Sequence, residues 1–145
     1  MTTAQTFTPT LRIPAVGRPT AVIGSVVVAV AVNLIVWLLG EAAGGSFEVV
    51  DQGVTTSVGA GGVIVSSGLP LLVGMTAAAL VSYFWTGALR VAQIVGAVLA
   101  IATIGLTIAA PFDAVTTVAL SVMHVVLAPV LVVGLEAMRR GLSAN

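Results

Sequence analysis

Cysteine is absent from the chain, which excludes disulfides, thiolate metal sites and thiol-based redox chemistry on either side of a membrane. A quinone-coupled disulfide enzyme of the four-helix type is excluded with them. Charge is also scarce. Five basic and five acidic side chains make up 7% of 145 residues, against about 25% in ordinary soluble domains. No run of basic residues occurs, so the sequence shows neither a nucleic-acid footprint nor a polybasic lipid-binding cluster, and nucleic acid is not an expected partner. There is one histidine, no HExxH pair, no GxxxxGK loop and no cluster of carboxylates. That inventory offers no nucleophile paired with a base, so no enzyme, metal or cofactor is expected. "GAGG" in the 41–66 segment is flexible backbone, because no strand-to-helix phosphate site surrounds it.

What is present is apolar. Hydrophobic residues make up 59% of the chain, and the mean hydropathy is +1.20. Ten charged side chains could not coat a soluble fold of this length, whereas a lipid-facing surface has no need of them. The chain reads as one membrane domain with the lipid bilayer as its first partner.

Uncharged stretches at 20–40, 67–89, 91–110 and 114–135 are each long enough to span the ~30 Å hydrocarbon layer. The first is too long for the apolar stretch of an ordinary signal peptide and reads as a retained helix. Residues 1–19, broken by Pro9, Pro14 and Pro19, form an expected tail, and residues 136–145 form another. The connections at Arg90 and at "PFD", Pro111 to Asp113, are tight, so neighbouring helices must run antiparallel. The expected fold is an all-α membrane protein: an antiparallel four-helix transmembrane bundle with a small extracellular β-hairpin-like loop between its first two helices.

Arg12, Arg18, Arg90, Arg139 and Arg140 fall on one side of these spans, and Glu41, Glu48, Asp51 and Asp113 on the other. The positive-inside rule then predicts a multi-pass cell-membrane protein with both termini cytoplasmic. Glu136 is the one acid on the arginine side, spaced to pair with Arg139 or Arg140 on a helical turn. Trp37, Phe112 and "YFW", Tyr83 to Trp85, sit where interfacial rings are expected. In the 41–66 loop, "FEVVD", "QG" and "VTTSV" predict two short strands about a glycine-containing turn. Ser67 and Pro70 would open the second helix; if that helix starts near Gly61, Pro70 kinks it instead.

Small residues recur every fourth position at Ser25, Ala29 and Asn33, at Gly74, Ala78 and Ser82, and at Ala92, Gly96 and Ala100. Such stripes serve packing within the chain or assembly into a homo-oligomer. On the fourth span Asp113, Thr117, Ser121 and His124 lie within roughly 80° of one another, a polar lane descending from the outer surface. His124 lies ~17 Å below that surface, near the bilayer centre, too far from Asp113 for a direct acid–base pair. Asn33, Thr103 and Thr107 stand at comparable depths. An intramembrane histidine is a functional-site candidate. It is also the least costly ionisable group to bury, and a bond to Asn33 or a threonine hydroxyl would make it a structural pin. The remaining readings are a proton or ligand contact and a metal or cofactor ligand. Pro129 bends the helix just inside it.

The "MHVVLAP" helix, the arginine turn "GALR" and the Gly-rich outer loop together make the chain resemble a family of short four-span bacterial membrane proteins of unknown function. The resemblance implies a midmembrane pair, Met123 and His124, in a bacterial inner membrane, and it supplies no activity. The expected role is that of a small non-enzymatic membrane protein, structural or accessory, touching a membrane-protein partner or a second copy. The alternative is a transporter or a ligand- or proton-binding protein whose polar lane opens outward to His124. A small multidrug exporter is disfavoured, since its pattern needs a carboxylate in the first span and residues 20–40 have none.

Overall fold

The computed structural model describes residues 13–143; Arg12 and the tail before it, Ala144, Asn145 and the side chain of Asp51 lie outside that description. The order is α1 (Arg18–Ala42), β1 (Glu48–Asp51), β2 (Val54–Ser57), α2 (Ala60–Val81), α3 (Ala88–Ala109) and α4 (Ala114–Ser143). The helices have 25, 22, 22 and 30 residues, and all four are long and apolar enough to cross a membrane.

Local chemistry explains the boundaries. Pro19, whose missing N–H would be unpaired in a first turn anyway, opens α1. Gly44, at φ 90°, ends it, and the N–H groups of Ala43, Gly44 and Gly45 close back on Leu39, Glu41 and Gly40 carbonyls. The two strands pair antiparallel with Glu48 opposite Ser57 and Val50 opposite Thr55, as the alternation in the loop predicts. Gln52 and Gly53, at φ 49° and 81°, form the turn. Positive φ at both central residues is the type I′ geometry that matches strand twist.

The second helix differs from the expected start at Ser67. α2 begins at Ala60, capped by Gly59, so Pro70 lies inside it. The apolar run through Val63 gains burial by coiling at once, with Val63 only 1% exposed. One missing backbone bond at Pro70 does not stop the helix. α2 also ends at Val81, before Leu89. Tyr83, Phe84 and Trp85 therefore stand in the turn after it, and Arg90 lies in the first turn of α3.

α1 packs on both α2 and α4, and α3 packs chiefly on α4, with fewer contacts between α2 and α3. The Ser25, Ala29 and Asn33 stripe is buried, so on α1 the small residues serve packing within the chain. At one end Val16 N–H donates to the Ala137 carbonyl at 3.1 Å; at the other, Gly40 abuts Ala119. α1 and α4 thus run in opposite directions. Val22, Leu71, Met75, Leu89, Leu135 and Met138 centre the larger core. A second core of Phe47, Val63, Ala119 and Met123 lies towards the hairpin.

Gly134 leaves room for neighbouring side chains of this core: a Cβ there would overlap the Ser25 hydroxyl and stand 3.0 Å from Met75 Cε. In an open helix Gly→Ala gains up to about 1 kcal/mol. Here overpacking of about 1–3 kcal/mol outweighs that gain. Gly134→Ala is therefore expected to lower the unfolding midpoint in detergent, and adding Ser25→Gly to recover it. A stabilised single variant would contradict the packing.

Candidate functional site

Polar side chains cluster at three levels along the helices. At the hairpin end Asp113 precedes α4, and its Oδ1 accepts the Thr116 N–H at 2.9 Å. Its Oδ2 accepts the Thr116 hydroxyl, the Ser46 hydroxyl at 2.8 Å and the Ser46 N–H at 3.1 Å. Thr116 Oγ1 in turn accepts the Phe47 N–H at 2.9 Å. Phe47, at φ 51° and 1% exposed, is held by this clasp with its ring against Gly40, where a Cβ would come within 2.6 Å. Trp37 meets the Phe47 ring edge-on at 6.3 Å between centroids and donates its Nε1–H to the Val58 carbonyl. The clasp joins α1, the hairpin and α4 at a single point.

At the middle level the expected lane resolves into separate bonds. Thr117 Oγ1 donates to the Asp113 carbonyl and Ser121 Oγ to the Thr117 carbonyl, each four residues back on the same helix. Thr107 and Thr103 do likewise on α3, with Thr107 buried. Asn33 pairs with Ser67 across α1 and α2, Nδ2 to Oγ at 2.8 Å, and not with His124. Its Oδ1 is buried without a partner among the described residues.

His124 Nδ1 lies 2.8 Å from the Leu120 carbonyl. A carbonyl oxygen only accepts, so Nδ1 carries the hydrogen, and Nε2 of the neutral ring is an acceptor. Nε2 has no partner among the described residues.

The ring lines a cleft of about 260 Å³ between α2, α3 and α4. Pro70, Gly74, Gly96 and Ala100 open it with small or flat surfaces; Leu71, Leu99, Leu127 and Leu131 supply its apolar walls. The polar members are Ser66, Ser67, Thr103 and His124. Pro70 has no N–H to give the carbonyl of Ser66, a residue of the same wall, so the usual intrahelical bond is missing there. The sparse contact between α2 and α3 leaves the cleft open sideways.

At the third level Arg18 donates to Ser82 Oγ at 3.0 Å and lies 3.8 Å over the Tyr83 ring. Glu136 pairs with Arg139 and Arg140, at 2.7 and 3.0 Å, as its spacing predicts.

Of the sequence-predicted residues, His124 and Thr103 share the cleft, while Asp113, Asn33, Thr107, Thr117 and Ser121 lie elsewhere in the hydrogen bonding just described. Sequence reasoning missed Ser46, Phe47 and Thr116 in the clasp, and Ser66 and Ser67 in the cleft. Asp113 three residues before Thr116 is a helix-start signal that could have found one of them. Pro70, four residues after Ser66, marks the Ser66 carbonyl, and no local signal marks Ser46 or Phe47.

Four apolar membrane-length helices and a two-stranded sheet define a multi-pass membrane protein. The chain belongs to a family of unknown function (DUF6069), whose model matches residues 14–141. No curated protein and no solved structure matches the chain significantly.

The Thr116 hydroxyl and N–H and the Ser46 hydroxyl hold the Asp113 carboxyl well below the usual carboxylate range. Its contribution to stability is therefore complete above the ordinary aspartate value of about 3.9 and is lost progressively as pH falls below it. Protection of the Ser46 and Phe47 amides, measured against their intrinsic exchange rates, is expected to hold from neutral pH down to about 4 and to fall progressively below it. Asp113→Asn, with one acceptor oxygen in place of two, should remove it at all pH values. Unchanged protection in that variant would contradict the clasp.

Proposed function

We propose that this is a non-enzymatic, four-span protein of the cell membrane, with both termini cytoplasmic, that binds an uncharged amphipathic molecule within the bilayer. The arginines at one end of the helices and the acids at the other support the orientation. The observation that carries the binding role is the cleft between α2 and α3. It is apolar, open to the side and supplied with an acceptor at His124 Nε2. Binding sites for small molecules combine such apolar walls with few, convergent polar groups. The His124 Nε2 acceptor selects a ligand that donates, and an apolar surround rejects charge. A long-chain alcohol or a phenolic lipid fits both conditions.

The back-bonded hydroxyls of Thr117 and Ser121 favour entry from the lipid over an outward-opening aqueous lane, since each hydrogen already has an acceptor on its own helix. An accessory role remains part of this reading: α3, with only Ala88, Leu89 and Thr107 buried, offers a broad face to a membrane-protein partner or a second copy.

A photoactivatable long-chain alcohol in nanodiscs tests the proposal. Labelling is expected on α2 and α3 beside His124. Gly74 has open space about its Cβ position, so Gly74→Leu fills the cleft without a clash and should abolish labelling. His124→Phe removes one hydrogen bond and should weaken it about fivefold. Labelling spread evenly over the helices, or unaffected by Gly74→Leu, would overturn the reading.

A further inference from the structure

The arginine-bearing end holds a second recess, of about 170 Å³, lined by Thr86, Gly87, Arg90, Arg139, Leu142 and Ser143. Arg90 comes from the first turn of α3 and Arg139 from the last turns of α4. They stand 49 positions apart in sequence, so no basic run announces them.

The two cations are unequally satisfied. Arg139 gives Nε and Nη2 to the Glu136 carboxylate, which also takes Arg140 Nε. Arg90 is exposed and has no hydrogen bond or ion pair among the described residues, whereas Arg18, Arg139 and Arg140 each have one. The N–H groups of Ala88, Leu89, Arg90 and Val91 already bond the carbonyls of Trp85, Thr86 and Gly87, whereas those of Thr86 and Gly87 have no partner among the described residues. The recess therefore offers two guanidinium groups, the Thr86 hydroxyl and the two free amides, while the Ser143 hydroxyl already donates to the Arg139 carbonyl at 3.1 Å.

Depth narrows the ligand. Tyr83, Phe84 and Trp85, in the turn leading to Gly87, are 66%, 94% and 58% exposed, an outward ring cluster of the kind that sits at headgroup level. The Trp85 ring covers Gly87, since a Cβ there would meet its Nε1 at 2.5 Å.

We propose that this recess binds a phosphate group, with Arg90 and Arg139 as its cationic partners and the Thr86 hydroxyl as a neutral donor. Guanidinium groups match the geometry of phosphate oxygens, and the recess lies where lipid phosphates lie. The shared chemistry is a phosphate mono- or diester, carried by an anionic lipid headgroup or by a free anion. The site depends on no property of the His124 cleft.

The test uses full-length protein in nanodiscs of phosphatidylcholine alone and with added phosphatidylglycerol, with Arg side-chain nitrogen NMR on Arg90 as the readout. A parallel arm titrates inorganic phosphate into the phosphatidylcholine discs. An Arg90 shift with either probe is expected, and the responding arm identifies the source. Arg90→Gln breaks no contact and should weaken binding about fivefold, read as lipid retention by native mass spectrometry or as the shift of the Trp85 indole signal. Thr86→Val should weaken it less, and Arg140→Gln should leave it unchanged. No response in either arm, or full binding by Arg90→Gln, overturns the proposal.

Discussion

The constraint on which the structure depends is that hydrocarbon offers no hydrogen-bond partner, so each polar group in a span must find one inside the chain. Thr103, Thr107, Thr117 and Ser121 meet it on their own helices, three or four residues back. Asn33 and Ser67 meet it across two helices. Against that background the exceptions stand out: Asn33 Oδ1, the Ser66 carbonyl below Pro70, and His124 Nε2. Two of the three belong to residues that line one cleft, and that coincidence is the basis of the functional reading.

The second constraint concerns how helices attract one another when lipid is as apolar as leucine. Close backbone approach has to do much of the work. Ser25, Ala29 and Gly134 allow it between α1 and α4, and Gly40 does so by leaving room for Phe47. The clasp at the hairpin end then adds charge-assisted bonds at one end of that pair, with the Asp113 carboxylate gathering hydrogens from both Ser46 and Thr116. α3 takes part in neither device beyond its seam with α4. Its separation from α2 is what leaves the cleft open.

Much of this was legible in the sequence. Four uncharged runs of spanning length and the asymmetric arginines point to the helices, and "QG" between alternating segments points to the hairpin turn. The boundary of α2 was not legible. Ser67 and Pro70 look like a helix start, yet the tertiary burial of Val63 extends the helix to Ala60. Periodicity grouped Asp113 with His124 on one lane, but it could not show which hydroxyls would bond backward along their own helix. Nor could it show that Asp113 would turn to Ser46, 67 positions away. The pairing of Arg90 with Arg139 in one recess is likewise a product of the fold.

Nitrogen NMR of the His124 ring in lipid nanodiscs tests the central claim most directly, because it reads which ring atom carries hydrogen and whether lipid-phase probes reach the other. The account expects a hydrogen on Nδ1, bonded to the Leu120 carbonyl, and an unprotonated Nε2 broadened by a paramagnetic label on the lipid chain near the bilayer centre. A hydrogen on Nε2 donated to another side chain, with no broadening, would make His124 a sealed structural bond and contradict the account.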